Sequence, residues 1–463
     1  VKEGVSARLC RSIEAMRYED LPPAVVETVK RLVLDVLGLI GGGASAPGIP
    51  ELNARLSRWE AAGSATGLVG KRRYSPPTAA LANGAAAHAL DFDDLHDRAR
   101  VHTSAIMLPT LLAAAEDIGG VSGRQFILAM AIGAELHARF GLACYNSLAK
   151  GWHPTMVFGT LSAGIAAGKM LLLNGEGLGN ALGMAFHQAS GSAQSMRDGV
   201  LSKRLGAGFA ARAAVLAAFL AKDGLTGTRR TLEGDAGLFA LYERGEADPQ
   251  QLLHGLGETW QVRQYSFKPF PGCRCNHTVI GLGIRMHRDG IRAADVAKAE
   301  IRIGKVNWLS VGGAYDVTRR SVVHAQFNAA YSFARALADG KVDLWTYEQS
   351  AIEDPAIAAL AGLIRVVDDP QINPQAIEPA RVTLQLRDGR RIEASSDTMQ
   401  GSPNEPMSEE QFEAKFHACL EYGLRVHREQ AERLLTAVRE LDSMDDVAQL
   451  LDAFPAAVPA TED

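Results

Sequence analysis

Pro76-Pro77-Thr78-Ala79-Ala80-Leu81-Ala82-Asn83-Gly84-Ala85-Ala86-Ala87-His88-Ala89-Leu90-Asp91-Phe92-Asp93-Asp94 is the stretch that decides the fold. A proline pair can start a helix because the first-turn N–H it lacks has no intrahelical partner anyway. The run that follows, Ala79 to Leu90, is dominated by alanine, leucine and glycine. Alanine and leucine favour helix, and such small side chains let helix axes approach closely. The spacing predicts a helix over 79–90 that is buried on most sides, and hence stacked inner helices rather than a loose bundle. Three acids then close the run within one turn. The helix dipole disfavours acids at that end, so Asp91, Asp93 and Asp94 call for a partner, either a cation or a base.

The same texture extends outward. Similar helices are expected over about 22–40 (stopped by Gly41-Gly42-Gly43), 105–118, 123–144, 155–173, 177–188 and 206–222. Near residue 265 it changes. Lys298–Ile303 and Arg381–Ile392 alternate apolar and polar residues with period two, the signature of strands, and the latter contains an Asp-Gly turn. Helices are expected beside them at about 278–288 and 325–338. After Pro403 helix returns, with Ser408-Glu409-Glu410-Gln411 resembling a capped start and two further helices running to about Phe454. The tail 455–463 has little to pack and is expected to be mobile. The fold class is therefore mainly α: a helical part over 1–265, an α+β part over 266–403, and C-terminal helices over 404–463.

With 463 residues, the chain is long enough for two or three domains. A net charge of −5 without a basic block argues against a nucleic-acid partner, so an anionic ligand needs a local cluster of cations. Five scattered cysteines argue against a disulfide framework. With no signal-like N-terminus and no long uninterrupted apolar run, the expectation is a cytoplasmic protein without a membrane partner.

Polar groups set into small-residue helices are the candidates for chemistry. His102 precedes Thr103-Ser104 and His153 precedes Pro154-Thr155, each at the start of a helix, where backbone N–H groups can receive an anion. Lys203 and Arg204 sit between two apolar helices, as a solvated cap or as part of a site. Lys268 and Arg274 flank a proline-rich bend where the texture changes, a favoured location for a pocket. Cys273, Cys275 and His277 alternate like metal ligands, but no second cluster completes a tetrahedral site, and no metal or other cofactor is expected. His88, His137 and His187 read as hydrogen-bonded core histidines, and Gly175-Glu176-Gly177-Leu178-Gly179 reads as a turn between helices rather than a nucleotide loop.

The stretch from Pro76 to Asp94 strongly resembles the signature of the MmgE/PrpD family. The resemblance continues through Trp152-His153-Pro154-Thr155, Gln188-Ala189-Ser190-Gly191, Asp198–Lys203, Leu232-Glu233-Gly234, Lys268-Pro269-Phe270-Pro271 and Ala325–Tyr331. It implies a large helical domain built from both ends of the chain, an inserted α+β lid, a homodimer, and a site between domain and lid that acts on small polycarboxylates. The positions it implies for that site are Asp91, His102, His153, Lys203, Lys268 and Tyr331. Two departures stand out: Leu95 replaces the family's threonine after Asp-Phe-Asp-Asp, and Cys273 replaces its lid histidine, with His277 matching a later position.

The shared chemistry makes or breaks a C–H bond beside a carboxylate. It needs preorganised positive groups, for which Lys203, Lys268 and Arg274 are candidates, with His277 and Cys273 beside them on the substrate. It also needs a neutral base, for which His102 and His153 are candidates, with Asp91 orienting an imidazole and Tyr331 delivering a proton from the lid. The leading expectation is a cofactor-independent, dehydratase-type lyase of a hydroxy-polycarboxylate. The alternatives are an epimerase of a small dicarboxylate, a decarboxylase, or a binding protein without activity.

Overall fold

The computed structural model describes residues 3–60 and 62–457; of the tail expected to be mobile, 458–463 lie outside the described residues. The protein is mainly helical with a small sheet. The Pro76–His88 helix is buried along its whole length from Thr78. It has no polar face because it crosses the middle of the molecule, packed against Pro23–Gly42, Ser104–Ile118 and Ser202–Lys222. Its glycine explains the closeness: a Cβ on Gly84 would stand 2.9 Å from the Cα of Gly208, and one on Gly208 would stand 2.3 Å from the carbonyl oxygen of Leu81. Gly123–Ala143 and Pro154–Met170 complete the inner layer.

Both ends of the chain contribute to the first core. The Glu409–Leu424 helix, capped by Ser408 and Gln411 in a reciprocal box, packs against Pro23–Gly42. Its Phe416, Leu420 and Leu424 fill the space beside Gly38 and Gly41. A second core gathers Cys273 through Leu386 around a four-stranded sheet. The strand order is Ile364–Asp368, Val296–Ile303, Ala380–Leu386, Arg391–Ser396; the first pair is parallel and the others antiparallel. His277–Arg288 and Ala329–Asp339 pack together within this second core.

Several expectations need correcting. The parallel strand Ile364–Asp368 was not foreseen, since it directly follows a helix and is too short to show alternation. A single helix over 325–338 is broken at Phe327-Asn328, because the Asn328 side chain caps the backbone N–H of Tyr331 at 2.8 Å and starts a new helix. Gly175–Gly179 is the first turn of a helix rather than a connection, capped by Asn174. His187 is exposed near the end of that helix, not in the core. The N-terminal part also holds two small strand pairs. One of them, Leu95–His96 with Tyr265–Ser266, ties the acidic segment to the chain entering the second core.

Candidate active site

The acids that end the central helix are not solvated. Asp91, Asp93 and Asp94 are all buried, and each has a separate task. Asp94 accepts from the backbone N–H groups of Thr103 (3.1 Å) and Ser104 (3.0 Å), capping the next helix. Asp93 accepts from His88 Nδ1 at 2.8 Å, and its same oxygen stands 3.3 Å from His102 Nδ1. Asp91 has left-handed backbone (φ 52°), which turns its carboxylate between two ammoniums: Lys203 Nζ at 2.6 Å and Lys268 Nζ at 2.8 Å. Lys268 also donates to the carbonyls of Asp91 (2.7 Å) and Gly272 (3.0 Å).

Electrostatics follow from this geometry. Burial alone would raise the Asp91 carboxyl, but the Lys203 and Lys268 ammoniums outweigh it and hold the group well below the usual carboxylate range. Burial alone would likewise lower Lys268, but Asp91 and Asp93 keep it above the ordinary lysine value. Burial pushes His88 down to about 4 against the pull of Asp93. His153 is driven well below the ordinary imidazole value by burial and then by the positive charge of Lys203. Both of its ring nitrogens are buried without a hydrogen-bond partner among the described residues. A buried imidazole that is neutral and uncommitted is unusual.

A cavity of about 100 Å³ brings together Asp91, His102, His153, Lys203, Cys273 and Arg274. Its floor includes Leu95, an apolar side chain where a hydroxyl would have given a donor. Arg274 is buried and anchored by Asp97 (3.3 Å) and the Gln400 carbonyl (2.7 Å), which leaves its Nη2 without a partner among the described residues.

Three anticipated residues lie elsewhere. Lys268 is wholly buried beneath Asp91 and spends its protons on protein oxygens, so it positions Asp91 rather than touching a ligand. His277 stands behind Arg274, with its Nδ1 3.1 Å from the guanidinium. Tyr331 belongs to the second core, where its hydroxyl donates to the Thr346 carbonyl at 2.6 Å and its ring packs on Tyr315 and Tyr347. It is not among the described residues that line the cavity, where it was expected to deliver a proton.

The sequence reading missed Asp97, which anchors Arg274, and Phe327, whose ring lies 5.2 Å from Lys203 Nζ. Asp97 was legible in principle, three residues after the acid cluster; Phe327 had no local signal. Among the described residues, His88, Asp93 and His102 have ligand-type atoms within 4.8 Å of one another, enough in kind to hold a cation. One Asp93 oxygen already serves His88 by a hydrogen bond, however, and the trio reads first as a device that fixes imidazole tautomers.

Two imidazoles, an ion-paired carboxylate and a buried guanidinium around one small cavity, on a scaffold of stacked helices with a small sheet, have the make-up of an acid–base enzyme site for an anion. The chain belongs to the MmgE/PrpD family: the family's N-terminal domain matches residues 7–251 and its C-terminal domain residues 270–442. It is 27% identical over 468 residues to a cis-aconitate decarboxylase-like protein of Aspergillus oryzae, covering 96% of both chains. It is 26% identical to a cis-aconitate decarboxylase of Aspergillus terreus, over 99% of this chain and 97% of that one. It is also 27% identical to the human cis-aconitate decarboxylase, over 99% of this chain and 96% of that one.

Proposed function

We propose that the protein is a cofactor-independent lyase of a small polycarboxylate, acting by proton transfer at a carbon beside a carboxylate. The observation that carries this reading is His153: a buried neutral base with both nitrogens uncommitted, beside the ammonium of Lys203. Removing a proton next to a carboxylate places a second negative charge beside the first. Lys203 and the open Nη2 of Arg274 would receive that charge in a site largely shielded from water, where fixed positive groups stabilise an anionic transition state most. His102, steadied near Asp93 and held by its backbone N–H to Thr155 Oγ1 at 3.1 Å, is placed to act as the general acid. Two imidazoles, one taking the proton and one protonating a leaving hydroxyl, favour elimination of water.

Decarboxylation is the second reading. It is supported by the names of the relatives and by the apolar side of the cavity at Leu95 and Phe327, since a leaving carboxylate is destabilised by apolar surroundings. We also propose a homodimer, because Phe209 and Leu216 stand exposed one above the other on the Ser202–Lys222 helix, an apolar stripe that suits a self-complementary interface.

Proton NMR in D₂O against citrate, methylcitrate, aconitate isomers, malate and tartrate tests the reaction. A new alkene supports dehydration, and released carbon dioxide supports decarboxylation. Deuterium entering the substrate with no new product would overturn the lyase reading in favour of an epimerase.

A further inference from the structure

The inner cavity is smaller than the roughly 300–1,000 Å³ typical of ligand pockets, but it is not isolated. Arg100, Leu148, Met196, Val306, Ser310 and Phe327 line both it and a second cavity of about 580 Å³. The outer cavity's charge is one-sided: Arg100, Arg197, Lys305 and Arg319 line it, and among the described residues no aspartate or glutamate does. Lys305 has a carboxylate partner, Asp368, at 3.1 Å.

Of the other cations, Arg197 is exposed, and Arg100 and Arg319 are held by neutral acceptors. Arg100 donates to Tyr145 Oη at 3.0 Å and to Gln375 Oε1 at 2.5 Å, with its guanidinium 4.7 Å from the Tyr145 ring centre. Arg319 donates to the Asp198 carbonyl at 2.8 Å, with Nη1 3.3 Å from His324 Nδ1. These contacts fix the Arg100 and Arg319 guanidiniums through groups other than carboxylates. In the inner cavity, by contrast, Lys203 and Arg274 are each matched by a carboxylate, Asp91 and Asp97. Arg100 therefore stands at the neck itself, beside Leu148, Met196 and Phe327, and Arg197 and Arg319 lie beyond it on the outer side. Positive groups of one sign around a cleft with apolar walls concentrate their field on an anion there, and planar guanidiniums match a carboxylate in geometry.

We propose that the two cavities form one elongated site. Its ligand is an acid long enough to set one carboxylate among Lys203 and Arg274 and a second between Arg197 and Arg319, with an apolar stretch of chain through the neck. This rests on the carboxylate-lyase reading of the inner cavity.

Calorimetric titration of the full chain with linear α,ω-dicarboxylates from succinate to sebacate, and with the matching monocarboxylates, tests it. Affinity should peak at a diacid longer than succinate. There it should exceed the monocarboxylate of equal length by about three- to tenfold, the gain from two solvent-screened ion pairs, and rising salt should erode that ratio. The Arg197→Gln/Arg319→Gln double variant should bring the ratio to near one. Equal binding of diacids and monoacids at every length, or an unchanged ratio in the double variant, overturns the proposal. Lys203→Met and His153→Ala separate this from failure of the inner-site reading. If either weakens all the acids while the double variant does nothing, only the elongated site falls. If neither matters, the inner site itself is misassigned.

Discussion

Asp91→Asn is the most informative perturbation, because a single oxygen-for-nitrogen exchange leaves the shape intact and removes the charge that two buried ammoniums share. Lys203 and Lys268 stand 2.6 and 2.8 Å from the two carboxylate oxygens, and all three side chains are almost wholly buried. Breaking a buried pair by removing one partner costs about 3–5 kcal/mol, since the remaining charge stays desolvated. Lys268 keeps two backbone carbonyls as acceptors, whereas the Lys203 ammonium makes no other hydrogen bond among the described residues. Most of the loss is therefore expected to come from Lys203. Equilibrium urea unfolding at neutral pH should show a loss of about 3–5 kcal/mol, together with a fall in turnover. Adding Lys203→Met should return part of that stability, because the unpaired ammonium is gone, and should restore no activity.

The pH dependence has a definite sign. A carboxyl held below its unfolded value contributes stability that is present above the unfolded pKa, about 3.9, and is lost as pH falls through the lower folded value. The gap between wild type and Asp91→Asn should thus be full at neutral pH and close only in strong acid. A loss under about 1 kcal/mol, or strict additivity in the double variant, would refute the shared-charge account.

His153→Ala should fold normally and lose at least about a hundredfold in kcat, the usual contribution of a general base. Because burial and Lys203 hold the imidazole well below its ordinary value, the wild-type kcat/KM assigned to it should stay level as pH falls through 6.5; a midpoint near that pH would contradict the assignment. Tyr331→Phe should stay within about twofold of wild-type turnover and lose about 1 kcal/mol of stability for one buried hydrogen bond to the Thr346 carbonyl; a hundredfold fall in turnover would return this residue to the chemistry. Gly208→Ala should destabilise by at least about 1–3 kcal/mol through overpacking, since its Cβ would meet the Leu81 carbonyl oxygen at 2.3 Å. A neutral result in chemical denaturation would mean that the helices are not so closely packed.

Composition and periodicity were enough for the mainly helical fold, because Ala79–Leu90 carries no polar face and can only be an inner helix. They were enough for the start of the Glu409–Leu424 helix, which Ser408 and Gln411 cap by contacts three residues apart. They also marked Asp91, His102, His153 and Lys203 as odd in their surroundings, because charge inside a small-residue helix is expensive unless paired or used. Local pattern could not say which acid meets which base. Asp91 finds a lysine more than a hundred residues away and another still further along, whereas Asp94 spends its oxygens on a helix end and Asp93 on imidazoles. It also could not separate Tyr331, packed in the second core, from residues that line the cavity, because its hydroxyl takes a carbonyl fifteen residues further along. Helix and strand are encoded over a few neighbouring residues; the pairing of buried charges is decided only when distant segments close on one another and each charge takes the partner that packing brings within reach.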